Sequence, residues 1–183
     1  MVYVILGFLM IRALTQYDLK QALSREVSPF YSPSLGSIQA ALKKLEAAGY
    51  VVPETQADGR RKKKLYTITA SGREALRAWM LASIAQDRLE TDVGTKLFFL
   101  GLMAPAERLA IIRDIVQQLE LVAALYEQTE LAESARSVDT PYRDIARYQL
   151  KTLSLGLLQH RSMLEGLRQV LTELEEEIYG GES

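Results

Sequence analysis

The chain has 183 residues, 48% of them hydrophobic and 25% charged, enough for one large globular domain or two small ones. It contains no cysteine, which excludes a disulfide framework and any thiolate metal site and fits a reducing cytoplasm, the expected location. The net charge of −1 hides an asymmetry, because residues 1–86 carry 12 Lys/Arg against 6 Asp/Glu and residues 87–183 carry 10 against 17. Such a split points to one half that meets nucleic acid and one that does not.

Residues 1–11 are the longest apolar run. The run is too short to span a bilayer and lacks the basic start and cleavage site of a secretory signal, so it predicts a buried first helix. Leu14-Thr15 breaks that pattern. Thr15 suits the N-cap of a second helix, with Asp18 placed three residues on to bond back, and this helix ends near Arg25. Pro29 and Pro33 make residues 27–33 a loop. Ser34 then caps a third helix, where Leu35, Ile38, Leu42 and Leu45 recur at 3- and 4-residue spacing as an inward stripe. Gly49 is the expected stop. Tyr50-Val51-Val52 reads as a strand, Gln56-Ala57-Asp58-Gly59 as a turn, and Leu65 to Thr69 as the returning strand. Thr69 or Ser71 caps a fourth helix bearing Leu76, Trp79 and Met80. Helix, helix, helix, strand, turn, strand, helix is the winged helix-turn-helix plan.

The second half reads as all-helical. A short helix is expected over Asp92 to Met103. A longer one starts at Pro105, with Leu109, Ile112, Val116, Leu119, Ala123 and Tyr126 along one face. A polar break follows over 134–140, and Pro141 opens a last helix to about Tyr179. There Leu150, Leu153, Leu157, His160, Leu164, Leu167, Leu171, Leu174 and Ile178 alternate at 3 and 4 residues, the pattern of a coiled-coil seam. The pattern also suits an amphipathic helix packed within one chain; the expectation is pairing with a second copy. The predicted fold is mainly α: residues 1–86 form a winged-helix DNA-binding domain, and residues 87–183 a helical dimerisation arm.

The third helix is the candidate recognition helix. With its stripe turned inward, 100° per residue places Gly36, Ala40, Lys43 and Ala47 outward, with Ser37, Gln39 and Lys44 on the flanks. Small residues let a helix enter the major groove, and Ser, Gln and Lys reach base edges or phosphates. Arg60, Arg61, Lys62, Lys63 and Lys64 put five cations beside the turn, a source of salt-sensitive affinity for phosphates. His160, the single histidine, occupies a seam position, where it reads first as a tolerated polar packing residue and second as a device that sets dimer register. No glycine-rich phosphate loop, metal-ligand cluster or catalytic triad stands out, so neither an enzyme nor a cofactor is expected. A winged-helix module that binds protein instead of DNA is the alternative, and the basic wing argues against it.

Three stretches carry a family resemblance: Ile5 to Leu9 followed by Tyr17-Asp18-Leu19; Ser34-Leu35-Gly36-Ser37-Ile38 with Ala41-Leu42, Leu45-Glu46 and Gly49; and Tyr66, Ile68-Thr69 and Gly72. Over roughly residues 1–80 the chain resembles the PadR family of bacterial winged-helix regulators. The resemblance implies a DNA-binding, effector-responsive regulator, expected to repress from an inverted repeat as a homodimer. Tyr17 and Ser34 thereby join Ser37, Gln39, Lys43, Lys44 and the 60–64 run as candidate DNA contacts. Trp79, Phe98 and Phe99 read by default as core aromatics; the resemblance admits a second role, as candidates to hold a small-molecule effector near the junction of the halves. The chain departs from the family at Gln16, where Gly is usual, and at Gln39-Ala40, often Tyr-Pro; the departures bear on which sequence is read.

Overall fold

The computed structural model describes residues 1–27, 33–58 and 61–180, without the side chains at 26, 27, 56–58, 61 and 62. It is mainly helical with one small antiparallel sheet. The chain divides into two compact units, Met1–Ala104 and Pro105–Ser183. The division falls later than the expected 86/87 boundary, because residues 87–104 pack within the first unit: Leu89, Val93, Phe99 and Leu100 are buried there.

In the first unit, helix α1 (Val2–Ile11) is apolar around its whole circumference, and Val4, Ile5, Leu6, Phe8 and Leu9 are buried. Gly7 admits the Phe99 ring so closely that a Cβ there would lie 2.6 Å from it. Strand β1 (Leu14–Thr15) leads directly into α2 (Gln16–Ala22), which continues as one π-helical turn to Val27. Thr15 and Asp18 form a reciprocal capping box: the Thr15 N–H donates to Asp18 Oδ2 at 3.1 Å and the Asp18 N–H to Thr15 Oγ1 at 3.2 Å. Helix α3 (Leu35–Ala47) is capped by Ser34, whose Oγ accepts the Ser37 N–H at 3.1 Å. Its inward stripe is Ile38, Ala41, Leu42 and Leu45; Leu35, expected inside, is 47% exposed because it sits in the first turn, ahead of the packed region. Gly49, with φ +71°, ends the helix in the left-handed region.

The wing is longer than expected. Strand β2 (Val51–Asp58) pairs antiparallel with β3 (Arg61–Ile68), from Val51 opposite Ile68 to Asp58 opposite Arg61. Gln56-Ala57-Asp58, expected in the turn, therefore belongs to a strand, as does the backbone of Arg61 to Lys64. Gly59 and Arg60 lie outside the described residues. The sheet order is β1-β3-β2, so Pro53 sits on an edge strand, where a missing N–H donor is tolerated. Helix α4 (Ala70–Leu81) is capped by Thr69 and meets the end of α3: Thr69 Oγ1 donates to Gly49 O at 2.7 Å, and Ser71 Oγ donates to the same oxygen at 3.0 Å. The short helix expected over 92–103 begins earlier, as α5 (Leu89–Phe98), and ends in a 3-10 turn over Leu100–Leu102. Lys96 of α5 is 2% exposed; its ammonium donates to Met80 O at 3.1 Å and to Ala82 O, satisfying carbonyls left open where α4 ends.

The second unit is an antiparallel hairpin of α6 (Pro105–Ser134) and α7 (Arg143–Tyr179). Cross-hairpin ion pairs give the direction: Arg113 to Glu175 at 2.7 Å, Glu120 to Arg168 and Glu127 to Arg161, each at 2.6 Å. The α7 seam faces α6 of the same chain, contrary to the expected pairing with a second copy. Leu157, His160, Leu164, Leu167 and Leu174 are buried, and Leu150, Leu153, Leu171 and Ile178 are half-buried. The periodic stripe on α6 covers them. His160 stacks on Tyr126 at 5.0 Å between ring centroids, and its Nδ1 hydrogen-bonds Gly156 O at 2.9 Å. The histidine is a packing element of the hairpin.

Candidate nucleic-acid interface

One cleft in the first unit, of about 980 Å³, brings together Tyr17 of α2, Gln39 and Lys43 of α3, and Lys63 and Lys64 of β3. All five are candidates from the sequence, and all are exposed. The local structure explains the convergence. The capping box fixes where α2 begins, and the β1–β3 pairing holds that start against the wing, with Leu14 opposite Tyr66 and Thr15 opposite Leu65. Buried Ile38, Ala41, Leu42 and Leu45 turn the polar side of α3 outward. On the wing, Lys64, Tyr66 and Ile68 share one face of β3; Tyr66 and Ile68 are buried at its base, while Lys64, nearer the tip, is exposed.

The cleft holds carboxylates as well as lysines. Asp18 is kept below its ordinary range chiefly by the hydrogen bond from the Thr15 hydroxyl; burial opposes this, while the Thr15 N–H and the charges of Arg12 and Lys63 assist it. Burial pushes the Tyr66 hydroxyl up, and the Glu46 carboxylate adds to the effect. The Tyr17 hydroxyl accepts a hydrogen bond from Gln21 Nε2 at 3.2 Å, which orients the ring along α2.

The remaining candidates divide. Ser34 and Ser37 do not line the cleft: they form the α3 cap, where the Ser37 hydroxyl donates to Ser34 O at 2.8 Å. Lys44 is exposed on the flank of α3. The side chains of Arg61 and Lys62, and all of Arg60, lie outside the described residues. Gln16, Glu46 and Tyr66 also line the cleft and are not among the contacts expected from sequence. Glu46 had a legible signal, since it follows Lys43 by three residues on one helix face.

The aromatic candidates do not form one pocket. Trp79 stacks on Tyr3 at 4.6 Å with the rings 10° apart, and Lys96 Nζ lies 5.3 Å from its ring centre. This pair borders a second cleft, of about 530 Å³, together with Arg88, Asp92 and Lys96. Burial alone would raise the Asp92 carboxyl; the Arg88 hydrogen bonds at 2.9 Å, the Arg88 charge, the Thr91 hydroxyl and the N-terminal ammonium together outweigh it and hold the group low. Phe98 and Phe99 do not line this cleft; they cluster with Phe8, at 5.9 and 5.4 Å. Among the described residues no group of three His, Asp or Glu could hold a metal ion, and no helix is long and apolar enough to cross a membrane.

Comparison with known proteins bears on the same segment. Residues 5–78 match the transcriptional regulator PadR-like family. The negative transcriptional regulator PadR of Bacillus subtilis (strain 168) is 24% identical over 181 residues, covering 96% of this chain and 97% of that one. The crystal structure of Bacillus subtilis PadR in complex with operator DNA is similar over 94% of this chain and 98% of that one, at 23% identity and a TM-score of 0.44. The crystal structure of the same protein in complex with p-coumaric acid covers 96% of this chain and 95% of that one, at 21% identity and a TM-score of 0.39. Over residues 5–78 the chain is thus similar to the PadR-like family of transcriptional regulators.

Proposed function

We propose that this chain is a repressor that binds promoter DNA in the cytoplasm as a homodimer and is released by a small-molecule effector. The cleft carries the reading: α2, α3 and the wing present Tyr17, Gln39, Lys43, Lys63 and Lys64 to one space. In the proposed complex α3 enters the major groove and Gln39 reaches base edges, while the lysines of α3 and the wing neutralise phosphates. The operator-bound Bacillus subtilis relative supports the partner.

What the hairpin leaves uncovered supports a dimer. Leu121 and Leu125 of α6 and Ile145, Tyr148 and Leu155 of α7 are exposed large apolar residues outside the seam. Such a surface favours association, and a twofold dimer would present two heads to an inverted repeat. The cleft beside Trp79, walled by Tyr3 and Arg88, is the proposed effector site; the relative's complex with p-coumaric acid supports an effector of this size.

Selection of bound duplexes from a random pool tests the reading. Two inverted half-sites should emerge, and affinity for them should fall steeply with salt, since several lysines per protomer displace counterions. No enrichment, or enrichment indifferent to salt, overturns DNA binding.

A further inference from the structure

The start of α2 is wired in two directions. Toward the wing, Leu14 and Thr15 pair with Tyr66 and Leu65 of β3. Toward the recognition helix, the next residue reaches across: Gln16 Nε2 donates to Leu35 O, on the first residue of α3, at 3.0 Å. Among the described residues, the other bonds to that turn are those of its own Ser34 cap. The Leu35 side chain is exposed, Gly36 has none, and the first buried residue of the helix is Ile38. Gln16 thus closes a link from β3 through β1 to the first turn of α3, which carries Ser37 and leads to Gln39.

We propose that Gln16 is a positioning residue for base reading: it sets the place of the first turn of α3 relative to Lys63 and Lys64 of the wing. The proposal rests on the DNA-binding reading above. Hydrogen bonds to base edges tolerate displacements of only about half an ångström, whereas a long lysine follows a phosphate as its backbone shifts. Loosening the link therefore lowers discrimination between duplexes and leaves charge-driven affinity alone. Gln16 also lines the cleft, so direct contact with DNA is the competing role that the test must separate.

The test uses the full chain with Gln16→Met, which keeps the length and helix preference of the side chain and removes its donor. The variant should melt with the parent. It should bind the selected duplex about three- to tenfold more weakly, the worth of one hydrogen bond. Affinity for random duplex and its salt slope should not change. The amides of Ile38 and Gln39 should exchange faster in the free protein, since both belong to the turn that Gln16 holds. In a second duplex selection the loss of preference should spread over all base pairs read by α3. Loss at one base pair alone assigns Gln16 a direct base contact and overturns the proposal. An equal loss of affinity for random duplex assigns it a phosphate contact and overturns the proposal equally. Unchanged exchange at Ile38 and Gln39 removes the link itself. If the parent chain enriches no duplex, the DNA-binding reading falls and takes this proposal with it; if only the variant fails to differ, this proposal falls alone.

Discussion

The two units solve the same problem, holding helices in place, by different means. In the first, position comes from contacts that allow no substitute. A Cβ on Gly72 would lie 2.2 Å from Tyr50 O, one on Gly7 2.6 Å from Phe99, and three helices are fixed by side-chain caps at Thr15, Ser34 and Thr69. In the second, position comes from repetition: two long stripes interlock, and exposed ion pairs run along their edges. Gly166 of α7 has nothing within 4 Å of its Cβ direction. The contrast teaches where each unit is sensitive. The first depends on a few contacts acting one by one; the second distributes its stability, so that no exposed position matters much.

Glycine substitutions break the comparison most sharply. Gly72→Ala drives a methyl group into backbone and should destabilise the chain by about 3 kcal/mol in equilibrium denaturation, near the upper end of overpacking penalties. Gly166→Ala should do the opposite, gaining about 0.5–1 kcal/mol from helix propensity alone. Comparable losses at both sites would erase the distinction between the units. Thr15→Ala removes the capping box and should cost about 1 kcal/mol at neutral pH. This loss depends on pH with a definite sign. The Asp18 carboxyl is held below its ordinary 3.8 chiefly by the Thr15 hydroxyl, so its contribution is present above that value and fades as pH falls through the lowered one. The gap between parent and variant should therefore narrow in acid, leaving the part due to the Asp18 N–H bond; a gap that widens would reverse the assignment. The smallest effect is expected at the hairpin edges. Arg168→Ala removes an ion pair whose side chains are 57% and 44% exposed, and the melting curve should register less than about 0.5 kcal/mol.

Much of the first unit is legible in the sequence because its signals are local. Thr15 with Asp18, Ser34 and Gly49 each announce a cap or a stop through their own chemistry, and each acts where expected. The strand at Leu14–Thr15 is not legible, since two residues show no alternation and exist as a strand only because β3 lies beside them. The wing reads too short for a related reason: Lys62 to Lys64 have weak strand preference, and pairing with β2 overrides it. In the second unit, periodicity finds the buried face of α7 without saying what covers it. The matching stripe on α6, from Leu109 to Tyr126, is equally readable, and the short 135–142 connection turns that stripe back onto the seam. Phe98 and Phe99 stay in contact, with ring centroids 4.8 Å apart, but neighbouring helical residues point about 100° apart, which leaves Phe98 exposed and Phe99 buried against Gly7. Gln16 gives no sign of its link in the sequence, because a glutamine at a helix start has many possible acceptors and only the fold selects Leu35 O.

Trp79 is the chain's single tryptophan, and its ring is flanked by Tyr3 and the Lys96 ammonium inside the first unit. The molecule thus carries one optical reporter that sees half of it. Excited selectively, its emission follows the unit that holds the cleft and the wing, while circular dichroism sums the helices of both. A melt recorded both ways needs no added label, and the spacing of the two midpoints measures how far the hairpin and the winged unit share one cooperative transition.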